Sequence, residues 1–158
     1  MTLPHRKTIL RKIPNGLFIV TAWDGTKPAS AVISFLSQTS KDPPFVTMAI
    51  KTGTELYKIA RKAGKMAIHL LRKDQSDIAA LHFKLKNRNS RFINGHEFLL
   101  STAGNPILSD IPMVLEVEVH RIIEEGDHHI FICLVKNSIL NEDVDILTMN
   151  DTNWNYGG

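Results

Sequence analysis

Ala29-Ser30-Ala31-Val32-Ile33-Ser34-Phe35-Leu36-Ser37-Gln38-Thr39-Ser40-Lys41-Asp42-Pro43-Pro44-Phe45-Val46-Thr47-Met48-Ala49-Ile50 is the stretch on which the reading of this chain turns. It opens as an apolar strand dotted with small hydroxyl side chains, passes into a polar turn and stops at Pro43-Pro44. Proline cannot donate to a sheet ladder, so the pair marks a break, and residues 45–50 form a second apolar strand. Small residues such as Ala31 and Ser34 let a flat ligand come close to the backbone, with Ser34, Ser37, Gln38 and Thr39 supplying donors and acceptors at its edge. An ordinary strand–loop–strand with a polar loop accounts for the same residues on chemistry alone.

Outward from this stretch, Gly16-Leu17-Phe18-Ile19-Val20-Thr21 begins a buried strand over residues 17–23, and Asp24-Gly25-Thr26 turns out of it. Before it, residues 4–13 read as a short helix with a solvated cationic face, stopped by Pro14-Asn15-Gly16. After it comes the clearest helix, residues 54–63. Leu56, Ile59, Ala60 and Ala63 share one face, Thr54 caps the start and Gly64 suits the end. Lys51-Thr52-Gly53-Thr54 puts a cation, two hydroxyls and a glycine at that helix's N-terminus, which suits either a simple cap or a phosphate cradle.

Residues 66–71 form a strand, and Asp74 caps a helix over residues 75–83 with Ile78, Ala79 and Leu81 inward and His82 near its end. Residues 84–92 form a polar, basic loop, a solvated surface or a lid. Residues 93–110 are irregular, with a turn at Gly104-Asn105-Pro106. Leu115-Glu116-Val117-Glu118-Val119-His120 alternates as a half-exposed strand, and Gly126-Asp127 turns it into residues 128–136. Residues 144–147 are a possible last strand. Six or seven mostly antiparallel strands with two main helices describe a mainly β protein with peripheral helices.

The chain has 158 residues, 43% apolar and 22% charged, which is ordinary for one globular domain spanning residues 1–158. A net charge of +3 with low aromatic content argues against a nucleic-acid partner. No apolar run is long enough to span a bilayer, and residues 1–14 lack the apolar core of a secretory signal, so no membrane is expected. The single Cys133 lies in an apolar run and reads as a buried, inert thiol in a cytoplasmic protein. There is no Gly-x-Gly-x-x-Gly, no P-loop and no zinc spacing. His128 and His129 are adjacent and point to opposite faces of a strand, so they cannot share a metal.

Gly16 to Thr21, Ser34-Phe35-Leu36-Ser37-Gln38-Thr39-Ser40 and Pro43-Pro44 occur in the order and spacing of the flavin reductase-like family, which this chain resembles. The likeness continues through Lys51 and the helix after it, Asp74-Gln75, Leu81-His82-Phe83, Gly126-Asp127-His128 and the closing Asp151-Thr152-x-Trp154-x-Tyr156-Gly157-Gly158. It implies an antiparallel split β-barrel of the FMN-binding type. Its serine stretch is one residue longer than in the commonest reductases and is closer to that of the reductase modules of flavodiiron proteins.

The resemblance implies FMN bound by Ala31, Val32, Ile33, Ser34, Ser37, Gln38 and Thr39 at the ring and by Lys51, Thr52 and Thr54 at the phosphate. NADH or NADPH is the implied electron donor, with His128 beside the ring or the nicotinamide as the catalytic residue. Hydride passes from the nicotinamide to the flavin, and the protein's task is to hold two flat rings together. A homodimer and a protein or free-flavin electron acceptor are implied as partners. Ser34 and Ser37 cannot share a face of a regular strand, so a bulge or turn between them is expected if both touch the ring. An FMN-binding electron-transfer protein without nicotinamide activity is the alternative. A more distant one is a heme-binding relative using His69, His82 or His96. Tyrosine in place of Ser37 is expected to fill the ring site.

Overall fold

Leu17 to Ala22 is buried without interruption, and a strand buried on both faces must sit between two layers. The structure, a computed structural model describing residues 4–158, places it so. The N-terminal helix α1 (Arg6–Leu10) is shorter than the sequence suggests and buries none of its residues. Ile9, Leu10 and Ile13 stay exposed, so no packed face extends it. Residues 1–3 of the basic leading stretch lie outside the described residues.

The chain then runs through β1 (Phe18–Trp23), β2 (Pro28–Ile33), β3 (Leu36–Ser40) and β4 (Phe45–Lys51), followed by helix α2 (Glu55–Ala63) and β5 (Lys65–Leu70). Helix α3 (Ser76–Leu81), the short strands β6 (Phe92–Ile93), β7 (His96–Leu100) and β8 (Pro106–Leu108), and the long hairpin β9 (Met113–Ile123) and β10 (His128–Leu140) complete it. Seven strands form one antiparallel sheet in the order β2-β1-β5-β9-β10-β4-β3. Its two edge strands, β2 and β3, are consecutive in the chain and joined only by Ser34 and Phe35. The sheet must therefore curl until its edges approach. Ala49 N–H donates to Phe35 O (2.9 Å) and so extends the β3–β4 pairing into the link, but no ladder joins β2 to β3. The result is a barrel split along one seam, the antiparallel split β-barrel that the sequence suggests.

The inner face carries Val20, Met48, Met66, Val117 and Phe131, closed by Leu56, Ile59 and Ala60 of α2. Thr54 caps α2 by accepting from Tyr57 N–H (3.2 Å), and Gly64 ends it at φ 70°. The outer face of β1 and β5 is covered by β6–β8, whose Ile93, Phe98 and Leu108 pack with Ile19, Ala67 and Leu71. Among the described residues no helix is long and apolar enough to cross a membrane.

Several sequence expectations change. Residues 93–110 are not irregular: Asn94-Gly95, both at positive φ (49° and 79°), turn β6 into β7, the Asn-Gly hairpin signature. Glu116 is buried because the small sheet covers its face, where its carboxylate accepts from Ser101, Asn105 and Asn137. Burial raises the Glu116 pKa, but these bonds outweigh it and hold the group below its usual range. Helix α3 is shorter than expected. Asp74 pairs with Arg72 instead of capping, and Leu81 is exposed. Residues 144–147 contribute only a bridge, Arg72 with Ile146. Cys133 is fully buried, and burial pushes its thiol up to about 12.

Buried histidines fasten the small sheet to the barrel. His96 Nε2–H must donate, since its partner is Ser109 O (2.8 Å). His96 Nδ1 then accepts from His82 Nε2–H (3.0 Å), and His82 Nδ1 accepts from the Ser30 hydroxyl (2.7 Å). His69 donates from Nδ1 to Ile19 O (2.9 Å) and accepts Leu108 N–H at Nε2 (3.0 Å). Burial favours the neutral rings of His69 and His82, so His82 is no cationic helix-end residue. No ring nitrogen of the three is left for a heme iron.

Burial lowers the pKa of His69 to about 4 and of His82 to about 3. Below pH 6.5 the unfolded chain protonates these rings while the folded protein does not. Their stabilisation is therefore complete above pH 6.5 and declines as pH falls towards 4, by at most about 1.4 kcal/mol per pH unit for each. Urea unfolding at pH 7, 6 and 5 should show this slope, and His82→Gln should flatten it; an unchanged slope would contradict the assignment.

Candidate active site at the barrel split

The seam leaves β2 as a sheet edge. One side of its backbone therefore meets no strand, and its amide and carbonyl groups are open to a ligand. Ala31, Val32, Ile33 and Ser34 line a cleft of about 330 Å³ there, within the range of small-molecule sites. Phe35 from the link and Ala49, Ile50 and Lys51 from the end of β4 form the wall across the seam. Thr54 at the head of α2, Phe83 after α3, His128 at the start of β10 and Tyr156 in the C-terminal strap complete it. A second hollow of about 360 Å³ shares Val32, Ser34, Phe83 and Tyr156 with the cleft and extends it towards Leu17, Met149 and Trp154.

The cleft thus gathers Ala31, Val32, Ile33, Ser34, Lys51, Thr54 and His128. Ser34 makes the turn at the seam, where Leu36 N–H donates to Ser34 O (3.1 Å). Its side chain is 6% exposed and lines both hollows. The hydroxyl has no hydrogen-bond partner among the described residues.

Ser37, Gln38 and Thr39 lie outside the cleft. The turn at Ser34–Leu36 sends the chain into β3 on the opposite sheet edge, where all three are exposed. Ser37 and Gln38 border a separate hollow with Phe18, Phe45 and Leu70. The expected break between Ser34 and Ser37 is present, but it separates them rather than bringing both to one ring. Thr52 also lies outside, with its amide (3.0 Å) and hydroxyl (3.3 Å) both donating to Asp127 O. Phe35, Ala49, Ile50, Phe83 and Tyr156 join the site without having been assigned to it from sequence.

The electrostatics concentrate on one cation. Lys51 is exposed, sits opposite His128 in the β4–β10 register and has no carboxylate within salt-bridge distance among the described residues. It lies at the N-terminal end of α2, where the first amides of a helix have no internal partner. The Thr54 hydroxyl is already committed, donating to Lys51 O (2.9 Å) and accepting from Tyr57 N–H, so it is a cap rather than a free donor. Glu55 next to it is neutralised by Arg88 (2.9 Å), whose hydrogen bond holds that carboxyl below its usual range. Arg88 also donates to Pro28 O (3.0 Å), and Asn94 bonds the backbone at Leu81, Lys84, Lys86 and Asn87. The basic loop is therefore tied down at both ends.

His128 bonds Asp127 Oδ1 through Nδ1 (2.8 Å) and the Tyr156 hydroxyl through Nε2 (2.5 Å). The hydrogen bond from His128 holds Asp127 below the usual carboxylate range. Burial and the Asp127 charge raise the Tyr156 phenol. His129 points the other way and meets the Tyr57 hydroxyl on α2 (2.6 Å). A larger hollow of about 800 Å³ elsewhere, bordered by Glu97, Leu99 and Ile139, gathers none of the expected residues.

The profile of the flavin reductase like domain matches residues 10–157. The chain belongs to this family. Among relatives, it is 28% identical over 137 residues to an NADH:FMN oxidoreductase of Rhodococcus erythropolis, covering 87% of this chain and 70% of that one. It is 27% identical over 155 residues to a flavin reductase of Pseudomonas putida, covering 96% and 87%. The crystal structure of a flavin reductase domain protein from Arthrobacter superposes with a TM-score of 0.79 at 20% identity, over 90% of this chain and 87% of that one, and shows the same fold.

The residues present fit a flavin, the group this flavin reductase-like family takes its name from. The open edge of β2 and the unspent Ser34 hydroxyl suit a flat ring with a polar rim. Val32, Phe35, Ile50 and Phe83 supply apolar walls, and Lys51 with the head of α2 suits a phosphate. Lys51→Gln is expected to weaken FMN binding about tenfold or more while leaving riboflavin, which has no phosphate, unaffected. Equal losses for both ligands in a fluorescence titration would remove Lys51 from the phosphate end.

Proposed function

We propose that this chain is an NAD(P)H-dependent FMN reductase that passes electrons on to free flavin or a protein acceptor, working as a homodimer. The observation that carries the reading is the cleft itself. An unpaired strand edge ending in Ser34 lies at the same seam as Lys51 and the head of α2, so ring and phosphate subsites adjoin. Bound there, FMN supplies the hydride-accepting chemistry. One cation at one helix terminus suits a single phosphate, which favours FMN over FAD. The backbone of Ala31–Ser34 orients the ring's polar rim, and Phe35, Ile50 and Phe83 exclude water from it. His128, fixed by Asp127, stands at the rim opposite Lys51 in register, where it can meet a nucleotide. An FMN-binding electron carrier would use the same cleft without His128 acting on a nucleotide.

The test is an anaerobic absorption spectrum of the protein with added FMN, followed by NADH and then NADPH. Shifted flavin bands that bleach with either nucleotide are expected. Bound flavin that neither nucleotide bleaches would favour the carrier, and an unshifted spectrum would remove the flavin. Ser34→Tyr should abolish FMN binding in a folded protein. Ser37→Tyr, outside the cleft, should change affinity less than twofold; the reverse order would move the ring to β3.

A further inference from the structure

The C-terminal strap closes over the cleft and places Tyr156 in its lining. Residues 154–158 belong to no helix or strand. Trp154 packs edge-on against Phe83 at 4.5 Å between centroids, and Arg11 Nε–H donates to Gly157 O (3.2 Å). Gly157 has φ 84° and passes so close to Phe35 that a Cβ would lie 3.0 Å from its ring. Glycine is what lets the strap lie down here.

The strap delivers Tyr156 onto His128. The rings of Phe35, His128 and Tyr156 meet pairwise at 5.5, 5.3 and 5.7 Å. Both nitrogens of His128 are consequently spent, Nδ1 on Asp127 and Nε2 on Tyr156. A neutral ring accepts the phenol hydrogen at Nε2; an imidazolium donates Nε2–H to the phenol oxygen. In neither state does His128 have a hydrogen to offer a ligand. Tyr156 is also itself a planar aromatic group lodged in the cleft, 45% exposed and carried on a segment outside any helix or strand. A nicotinamide ring that needs His128 must enter where this phenol now sits.

We propose that Tyr156 is a tethered competitor of the nicotinamide nucleotide, holding His128 until the nucleotide displaces it. Residues 154–158 then set nucleotide affinity, an inference that rests on the reductase reading above. A nucleotide that binds only the strap-open state has its apparent affinity reduced by the fraction of molecules that are open. Removing one neutral hydrogen bond of ordinary net strength raises that fraction about fivefold.

The experiment is steady-state oxidation of NADH and NADPH by FMN-loaded wild type, Tyr156→Phe and Tyr156→Ala. Calorimetric titration of the oxidised nucleotides into the same three proteins accompanies it, and their Kd should fall as KM does. Tyr156→Phe should lower the nucleotide KM about fivefold, and Tyr156→Ala, which also empties the slot, should lower it at least as far. An unchanged or raised KM in both variants, or a fall in kcat alone, overturns the proposal and leaves Tyr156 as a residue that positions His128. If wild type binds FMN but neither nucleotide bleaches it, the reductase reading itself has failed and this inference falls with it.

Discussion

Ser34 and Phe35 are all that connects the two edges of a seven-stranded sheet, and most of the architecture follows from that short link. A link this short forces the sheet to curl, because a flat arrangement would set its edges many strand widths apart at about 4.8 Å each. It also stops the closure short of a ladder, since the chain is turning just where the edges would pair. An unpaired edge is a liability in a β protein. Here it is retained where small side chains, Ala31 and Ser34, leave the backbone approachable. The split is therefore both the weak point of the barrel and the surface on which the proposed binding site lies.

The surroundings of the cleft are built so that little else is free to react. Glu55 is taken by Arg88, Thr54 by its own helix, Thr52 by Asp127, and the three buried histidines by one another, by Ser30 or by backbone. Polar groups buried in a protein must find partners, and this protein satisfies them internally along both borders of the site. What stays available is short: the Ser34 hydroxyl, one side of the β2 backbone, the Lys51 ammonium and the first turn of α2. That small set suits the proposed ligand, with a flat polar rim and a single anionic tail.

The parts of this fold that the sequence disclosed are those governed by local rules. Helix α2 was readable because its cap, its apolar face and its terminal glycine agree. β1 was readable because its apolar run is unbroken. The Asn94-Gly95 hairpin was equally local, but its strands are so short that the region looked irregular. Glu116 could not be read at all, since its burial depends on a sheet contributed by residues 92–108, and alternation alone puts it in solvent. The site divides the same way. Ala31 to Ser34, Lys51 and His128 lie on elements whose ends the sequence marks. Excluding Ser37 to Thr39 required knowing that β3 runs along the opposite edge, and including Tyr156 required knowing where an irregular strap comes to rest.

The claim that the unpaired edge of β2 is the cofactor's wall is tested most directly by amide hydrogen exchange with and without FMN. Binding should slow exchange at residues 31–35 and at the first turn of α2, with residues 37–39 unchanged. Protection confined to residues 37–39, with the β2 edge exchanging as before, would contradict the account.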